Sequence, residues 1–338
     1  MKKTILADLE TPHSTINAKS CYTQDTLSPR QTFGPKSKAK FIFPKNFDPL
    51  PLDQSILCTY NIWSDIGKGT FATVRFGTHK TSGFPVAIKI YENSKLRVQI
   101  RQQSVKNEIK ILKKLNHPNI VSLYEDVQGA QNQYLVMEYI KGASLLALVS
   151  KPSWKKLDET RCALIFSEII AGLAYCHSKN VAHRDIKLEN IMLDSTGQAK
   201  IIDFGFATMS SQMNKKTFLY CGTPNYMAPE IVRRERYPGE SADVWAAGVL
   251  LFMMLTGKFP FGSSKEQQVF EKIIKNQVEY PEGISVECRD LLKGMLEPCW
   301  KKRVTSEMVL KHGWVKNKGK AVTKNLPHKG DVDEIYCE

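Results

Sequence analysis

No two cysteines in this 338-residue chain are spaced as C-x-x-C, and most of the eight lie within apolar stretches, as Cys162 and Cys176 do. That pattern argues against a zinc ribbon or a disulfide framework and for free thiols in a reducing compartment. No apolar run reaches the ~20 residues that a membrane span needs. The longest, from Val244 to Leu255, has 12 residues and is interrupted by Gly248. It predicts a buried core helix in a soluble chain. Near the start only Ile5-Leu6-Ala7 precedes Asp8, too little for the apolar core of a signal peptide. No repeat of fixed period is present. The rest of the composition is ordinary, 42% hydrophobic, 24% charged and 9% aromatic. It excludes collagen, a wholly disordered chain and a disulfide mini-protein. At roughly 150 residues per domain, about two structural units are expected.

The formal net charge is +14. Nucleic-acid binding is one reading of such an excess. The basic residues are spread along the chain without interleaved aromatic platforms, which disfavours it. Attraction for phosphate groups on an otherwise solvated surface is the simpler reading. A denser basic cluster runs from Lys301 to Lys324 and could meet anionic lipid or RNA, or serve only to solubilise.

The first 40 residues are rich in Ser, Thr, Lys and Pro without a sustained period, and residues 1–59 as a whole read as mostly disordered or extended. Pro44, Pro49 and Pro51 suit an extended run lying on a domain. From Tyr60 the pattern changes. Strands are predicted at 60–63, 72–77, 85–91, 120–127 and 133–139, with one helix over 104–115, giving a five-stranded unit that ends near residue 140. Beyond it the periods are helical. Cys162, Ile165, Phe166, Ile169, Leu173 and Cys176 recur at helical spacing, predicting an amphipathic helix over 158–178. The helical unit closes near Trp314, and 315–338 read as a flexible polar tail.

Ile66-Gly67-Lys68-Gly69-Thr70-Phe71-Ala72-Thr73-Val74 is a G-x-G-x-x-A-x-V loop. A dinucleotide fingerprint of similar spelling opens a helix. Here β-prone residues follow, so the loop joins two strands and its backbone N–H groups can approach phosphates. Lys89 ends the apolar stretch Val86-Ala87-Ile88, where an ammonium needs a partner. Glu108 on the predicted helix or phosphate oxygens could supply one; a snorkelling surface lysine is the alternative. His183-Arg184-Asp185-Ile186-Lys187-Leu188-Glu189-Asn190 matches H-R-D-x-x-x-x-N. Asp185 can accept or orient a hydroxyl proton, Asn190 can offer a neutral oxygen to a hard cation, and Lys187 can neutralise a transferring phosphoryl group. Asp203-Phe204-Gly205 follows an apolar pair, and a carboxylate there suits magnesium.

These motifs, with Ala228-Pro229-Glu230, occur in one order over about 165 residues. From about Tyr60 to Trp314 the sequence resembles a eukaryotic protein kinase. The resemblance implies an α+β, bilobal kinase fold: a small five-stranded antiparallel lobe with one main helix (about 60–140), a larger mostly helical lobe (about 141–314), and ATP between them. It further implies that Ile66, Val74 and Ala87 line the adenine from one side and Met192 from the other. Met137 becomes the gatekeeper and Glu138 to Ile140 the hinge. Gly67, Lys68, Gly69, Thr70, Phe71 and Ala72 become the phosphate loop, Lys89 with Glu108 the phosphate-holding pair, and Asn190 and Asp203 the magnesium ligands. Leu112, Leu123, His183 and Phe204 would stack as an apolar column. Asp243 would anchor the catalytic loop, and Glu230 would pair with Arg303.

Asp185-Ile186-Lys187 and Gly222-Thr223-Pro224 resemble kinases acting on Ser and Thr. Lys311-His312-Gly313-Trp314 is similar to the calcium/calmodulin-dependent and AMP-activated group, while Cys221 to Tyr226 also resembles polo-like kinases. Glu189 suits a basic residue upstream of the acceptor; Met253 stands where many basophilic kinases carry a second glutamate. Arg184 before the base implies activation by loop phosphorylation, with Thr217 the first choice of site and an upstream kinase as partner. Protein substrates, ATP and Mg2+ are the implied partners and cofactors. The implied location is intracellular, the cytoplasm first and the nucleus second. A pseudokinase scaffold is the main alternative, although Lys89, Asp185 and Asp203 are all present.

Overall fold

A computed structural model describes residues 51–69, 72–96, 98–151, 158–209 and 223–317. They form two compact units. The smaller comprises the described residues up to Val98 together with Glu125–Met137; the larger comprises Gln99–Tyr124 and the chain from Glu138 onward.

The smaller unit opens with a helical turn, α1 (Gln54–Leu57), where the sequence predicts extended chain. Its Ile56 is fully buried in a cluster with Tyr60, Val86, Ile88, Ile90, Tyr134 and Val136. Three strands follow, β1 (Tyr60–Lys68), β2 (Ala72–His79) and β3 (Pro85–Glu92), the first running five residues further than its apolar start suggests. Bulges near Asp65 let β1 bend while it stays paired with β2 through Lys68. A buried arginine, Arg75, meets Asp65 at 2.7 Å across that pair. With β4 (Leu123–Gln128) and β5 (Asn132–Glu138) the strands make a five-stranded antiparallel sheet in the order β1-β2-β3-β5-β4. Ile120, predicted to lie in β4, makes only an isolated bridge to Ile201.

In the larger unit α2 (Gln99–Leu112) begins five residues before its predicted start; Gln99–Ser104 holds one apolar residue, the exposed Ile100, and lacks the apolar period that marks the rest. A three-stranded sheet joins β6 (Gly142–Ser144), β8 (Ile191–Asp194) and β9 (Ala199–Ile201) in the order β6-β8-β9. Gly142 is required in it, because a Cβ there would lie 1.9 Å from the Leu193 carbonyl oxygen. The helix α3 (Leu145–Val149) follows β6, and α4 (Glu159–Ser178) is capped by the Asp158 side chain, which accepts the Arg161 N–H at 2.8 Å. A second small ladder pairs β7 (Val181–Ala182) with β10 (Thr208–Met209).

The short α5 (Pro229–Val232) precedes α6 (Gly239–Thr256), buried all round from Ala242 to Leu255, which ends at Gly257 with φ +69°. By length and composition α6 could cross a membrane, but most of it is enclosed by the larger unit. Helices α7 (Glu266–Lys275), α8 (Val286–Met295) and α9 (Ser306–Lys311) complete the unit. Trp314 and Val315 are both buried, so the core extends to the edge of the segment predicted as a tail. The Trp314 indole N–H donates to Glu159 at 2.7 Å. The five described cysteines are all free thiols.

Candidate active site

The loop after β7 is held from below by one buried carboxylate. Asp243, in the first turns of α6, accepts the His183 N–H on Oδ2 and the Arg184 N–H on Oδ1, both at 2.7 Å. His177 of α4 meets the same Oδ2 at 3.1 Å and ties it to Ser306 of α9 at 2.8 Å. Burial first, and the Asp243 charge second, push the nearby Cys176 thiol far up. Arg184 takes φ +66°, a left-handed turn that an isolated arginine avoids. Its backbone N–H bond to Asp243 stabilises that turn.

His183 links this turn to the strand behind it. Its Nδ1 accepts the Asp185 N–H at 3.2 Å, which leaves Nε2–H to donate to the Ile202 carbonyl at 3.0 Å. The imidazole lies edge-on to Phe204 with centroids 4.7 Å apart. Two members of the column implied by the resemblance therefore meet. Leu112 is buried and Leu123 half-buried.

Asp185 is 6% exposed. Its Oδ2 receives Lys187 Nζ at 2.8 Å and Asn190 Nδ2 at 2.9 Å. Asn190 Nδ2 also donates to the Asp185 carbonyl at 2.8 Å. Both amide hydrogens are thereby engaged, so Asn190 Oδ1 is the atom left to face a cation. Asp185 Oδ1 has no hydrogen-bond partner among the described residues and is the acceptor available to an outside proton. Lys187 also reaches Thr223 Oγ1 at 3.3 Å, joining the loop to the stretch before α5. The Leu188 N–H donates to the Tyr226 hydroxyl at 3.3 Å.

Asp203 follows β9 with φ +60° and is exposed, and its Oδ1 accepts the Gly205 N–H at 3.3 Å. Ile202 N–H donates to the Asn190 carbonyl at 2.9 Å, fixing the segment before Asp203 to the segment that carries Asn190. These are hard oxygen donors, and no group of three or more His, Cys, Asp and Glu that could hold a metal occurs among the described residues. The set fits a magnesium ion that takes its other ligands from phosphate and water, and does not fit a closed zinc site.

On the smaller unit Lys89 lies in β3, 8% exposed, opposite Val74 in the sheet register, with Nζ 5.3 Å from the centre of the Tyr91 ring. Ala87 is buried, and Val74 and Ala72 are half-buried on one face of β2. Gly67 and Lys68 end β1, and Gly69 N–H donates to Ala72 O at 2.8 Å, so the loop closes as a strand-to-strand turn. Ile66 is partly exposed. Thr70, Phe71 and Thr217 lie outside the described residues.

On the larger unit Glu108 is buried in α2. Glu138 ends β5, where its carboxylate takes the Ser122 N–H at 3.2 Å and Lys200 Nζ at 2.8 Å. Ile140 follows it, half-buried, and Met192 lies half-buried in β8 opposite Ser144. Glu230 and Arg303 form a buried two-pronged pair at 2.6 and 2.9 Å. The sequence reading did not find His177 or Lys200. Each acts through a partner at least 60 positions away, and no local pattern marks either.

A family model described as the protein kinase domain matches residues 60–315. CBL-interacting protein kinase 32 of Oryza sativa subsp. japonica is 36% identical over 280 residues, covering 82% of this chain and 64% of the relative. CBL-interacting serine/threonine-protein kinase 15 of Arabidopsis thaliana is 37% identical over 261 residues, covering 77% and 61%. CBL-interacting serine/threonine-protein kinase 17 of the same plant is 39% identical over 262 residues, covering 76% and 60%. The chain spans about three fifths of the length of these curated relatives.

Proposed function

Because the chain belongs to the protein kinase family, we propose that it transfers the γ-phosphoryl group of ATP to Ser or Thr hydroxyls of protein substrates. The observation that carries this reading is the Asp185 carboxylate, with one oxygen held by Lys187 and Asn190 and the other left to accept. Phosphoryl transfer is mostly positioning and neutralisation of charge. Asp185 orients the acceptor hydroxyl and takes its proton. Lys187, bridging to Thr223, stands where it can offset charge on the transferring group and seat a Ser or Thr acceptor. Asn190 and Asp203 would hold Mg2+, and Lys89 the α- and β-phosphates. Magnesium, when bound, neutralises the charge of the β- and γ-phosphates.

The finer placement rests on Lys311-His312-Gly313-Trp314, which favours the calcium/calmodulin-dependent and AMP-activated group; the CBL-interacting relatives are kinases of Ser and Thr by name. Their names also carry a CBL interaction, and this chain spans about three fifths of their length. Glu189 deepens the substrate reading. One of its carboxylate oxygens is buried without a hydrogen-bond partner among the described residues, which suits a guanidinium brought by the substrate. Activation by loop phosphorylation, at Thr217 first, and action inside the cell belong to the same reading.

The test is incubation of the purified chain with γ-labelled ATP, Mg2+ and a generic basic Ser/Thr peptide. Label in the peptide, lost on chelation of the metal, is the expected result. ATP binding without transfer would favour the pseudokinase scaffold.

A further inference from the structure

An open groove of about 470 Å3 on the larger unit is lined by Arg233, Glu235, Pro298, Cys299, Trp300 and Lys301. It lies away from the catalytic loop in sequence and shares none of the residues assigned above. Its lining carries two exposed cations, Arg233 and Lys301, beside one carboxylate, Glu235, and Arg234, Arg236 and Lys302, next to them in sequence, are exposed as well. Its floor is aromatic. Trp300 is half-buried, with Lys301 Nζ 5.5 Å from its ring centre. Two residues past Lys301, Arg303 is held by Glu230, Ser241 and the Glu297 carbonyl, which anchors the segment that carries Pro298 to Lys301. A positive rim around an indole suits an acidic segment that carries apolar or aromatic side chains.

The chain contains such a segment. Asp331-Val332-Asp333-Glu334-Ile335-Tyr336-Cys337-Glu338 holds four carboxylates, three large apolar or aromatic side chains and no Lys or Arg. We propose that this acidic segment docks in cis in the Trp300 groove, with its carboxylates against the Arg233 and Lys301 rim and Ile335 or Tyr336 against the indole. The tether permits it. The 14 positions from Asn317 to Asp331 span up to roughly 46 Å when extended, while a compact unit of some 200 residues has a radius of gyration of only about 16 Å. Docking in cis would screen the basic rim, so any acidic partner would have to displace the segment. This inference does not depend on catalysis.

Two native thiols report on it directly. Cys299 is an exposed thiol in the groove lining, and Cys337 lies within the segment. Mild oxidation of the dilute full chain with diamide, followed by non-reducing peptide mass mapping, is expected to give an intramolecular Cys299–Cys337 disulfide as the main product. Raising the salt should suppress it, because the pairing is between exposed charges. Arg233→Glu with Lys301→Glu, both surface changes, should lower the cross-linked fraction by roughly five-fold, with the melting temperature unchanged. Three results would overturn the proposal: Cys337 pairing as readily with Cys58 or Cys221, a yield indifferent to salt and to the charge reversals, or a cross-link found only between two chains and rising with concentration.

Discussion

Asp243 and His183 are joined at 2.7 Å from carboxylate to backbone N–H, and the other oxygen of the same carboxylate takes the next N–H, that of Arg184, at the same distance. One side chain on a buried helix therefore fixes a left-handed turn, and that turn presents Asp185. Replacing Asp243 by Ala leaves two buried donors without acceptors, at a cost of roughly 2–5 kcal/mol. The expected outcome is a lowered melting temperature and a large loss of turnover with ATP affinity little changed. Thermal melts beside calorimetric nucleotide titration check it; wild-type turnover in the variant would show that Asp243 does not position the loop.

The Glu230–Arg303 pair is bidentate and buried, and the guanidinium also lies 5.0 Å from the Trp245 ring centre. Arg303→Met leaves an uncompensated carboxylate in the core, which costs about 3–5 kcal/mol. The double variant Glu230→Gln with Arg303→Met should recover part of that loss. Denaturant unfolding of the two proteins gives the comparison, and a double variant less stable than the single one would reverse the interpretation.

Asp53 ties the segment before β1 to the β4–β5 turn. Its carboxylate accepts the Gln131 and Asn132 N–H groups at 2.9 and 3.0 Å and the Tyr134 hydroxyl at 2.9 Å. Burial alone would raise its pKa, but these bonds outweigh burial and hold the carboxyl below its ordinary value. A depressed folded-state pKa adds stability above the unfolded carboxyl value of about 3.9, and that stability is lost as pH falls through the folded value. The gap in melting temperature between the parent and Asp53→Asn should be full at neutral pH and shrink below about pH 4. A gap that widens in acid would contradict the sign.

Glu189→Gln should raise KM several-fold for a peptide with an arginine upstream of the acceptor, as expected for loss of one charge-assisted pair, and leave a peptide without that arginine unaffected. Parallel kinetics on the two peptides decide it; equal effects on both would remove Glu189 from substrate recognition.

The catalytic loop was legible because its chemistry is compressed into eight consecutive residues, His183 to Asn190, and needs no long-range knowledge. Helix α6 was legible because a run of apolar residues can only be buried. The four-residue α1 was not. It carries no helical period, and what holds it is Asp53 reaching residues 78–81 positions later. The early start of α2 was missed because an exposed turn with a single apolar residue, Ile100, sets up no apolar period. Lys200 was invisible for a related reason: its partners, Glu138 and the Pro118 carbonyl, are distant in sequence and meet it only in the fold.

Asp185→Asn tests the central claim most directly. The carboxylate is replaced by a group of the same shape that cannot take a proton, while the Asp243 bonds that shape the loop remain in place. Label transfer from ATP to a Ser/Thr peptide should fall about 10²–10⁴-fold, with ATP binding and melting temperature close to the parent. Transfer at the parent rate by a folded Asp185→Asn protein would contradict the assignment of Asp185 as the base.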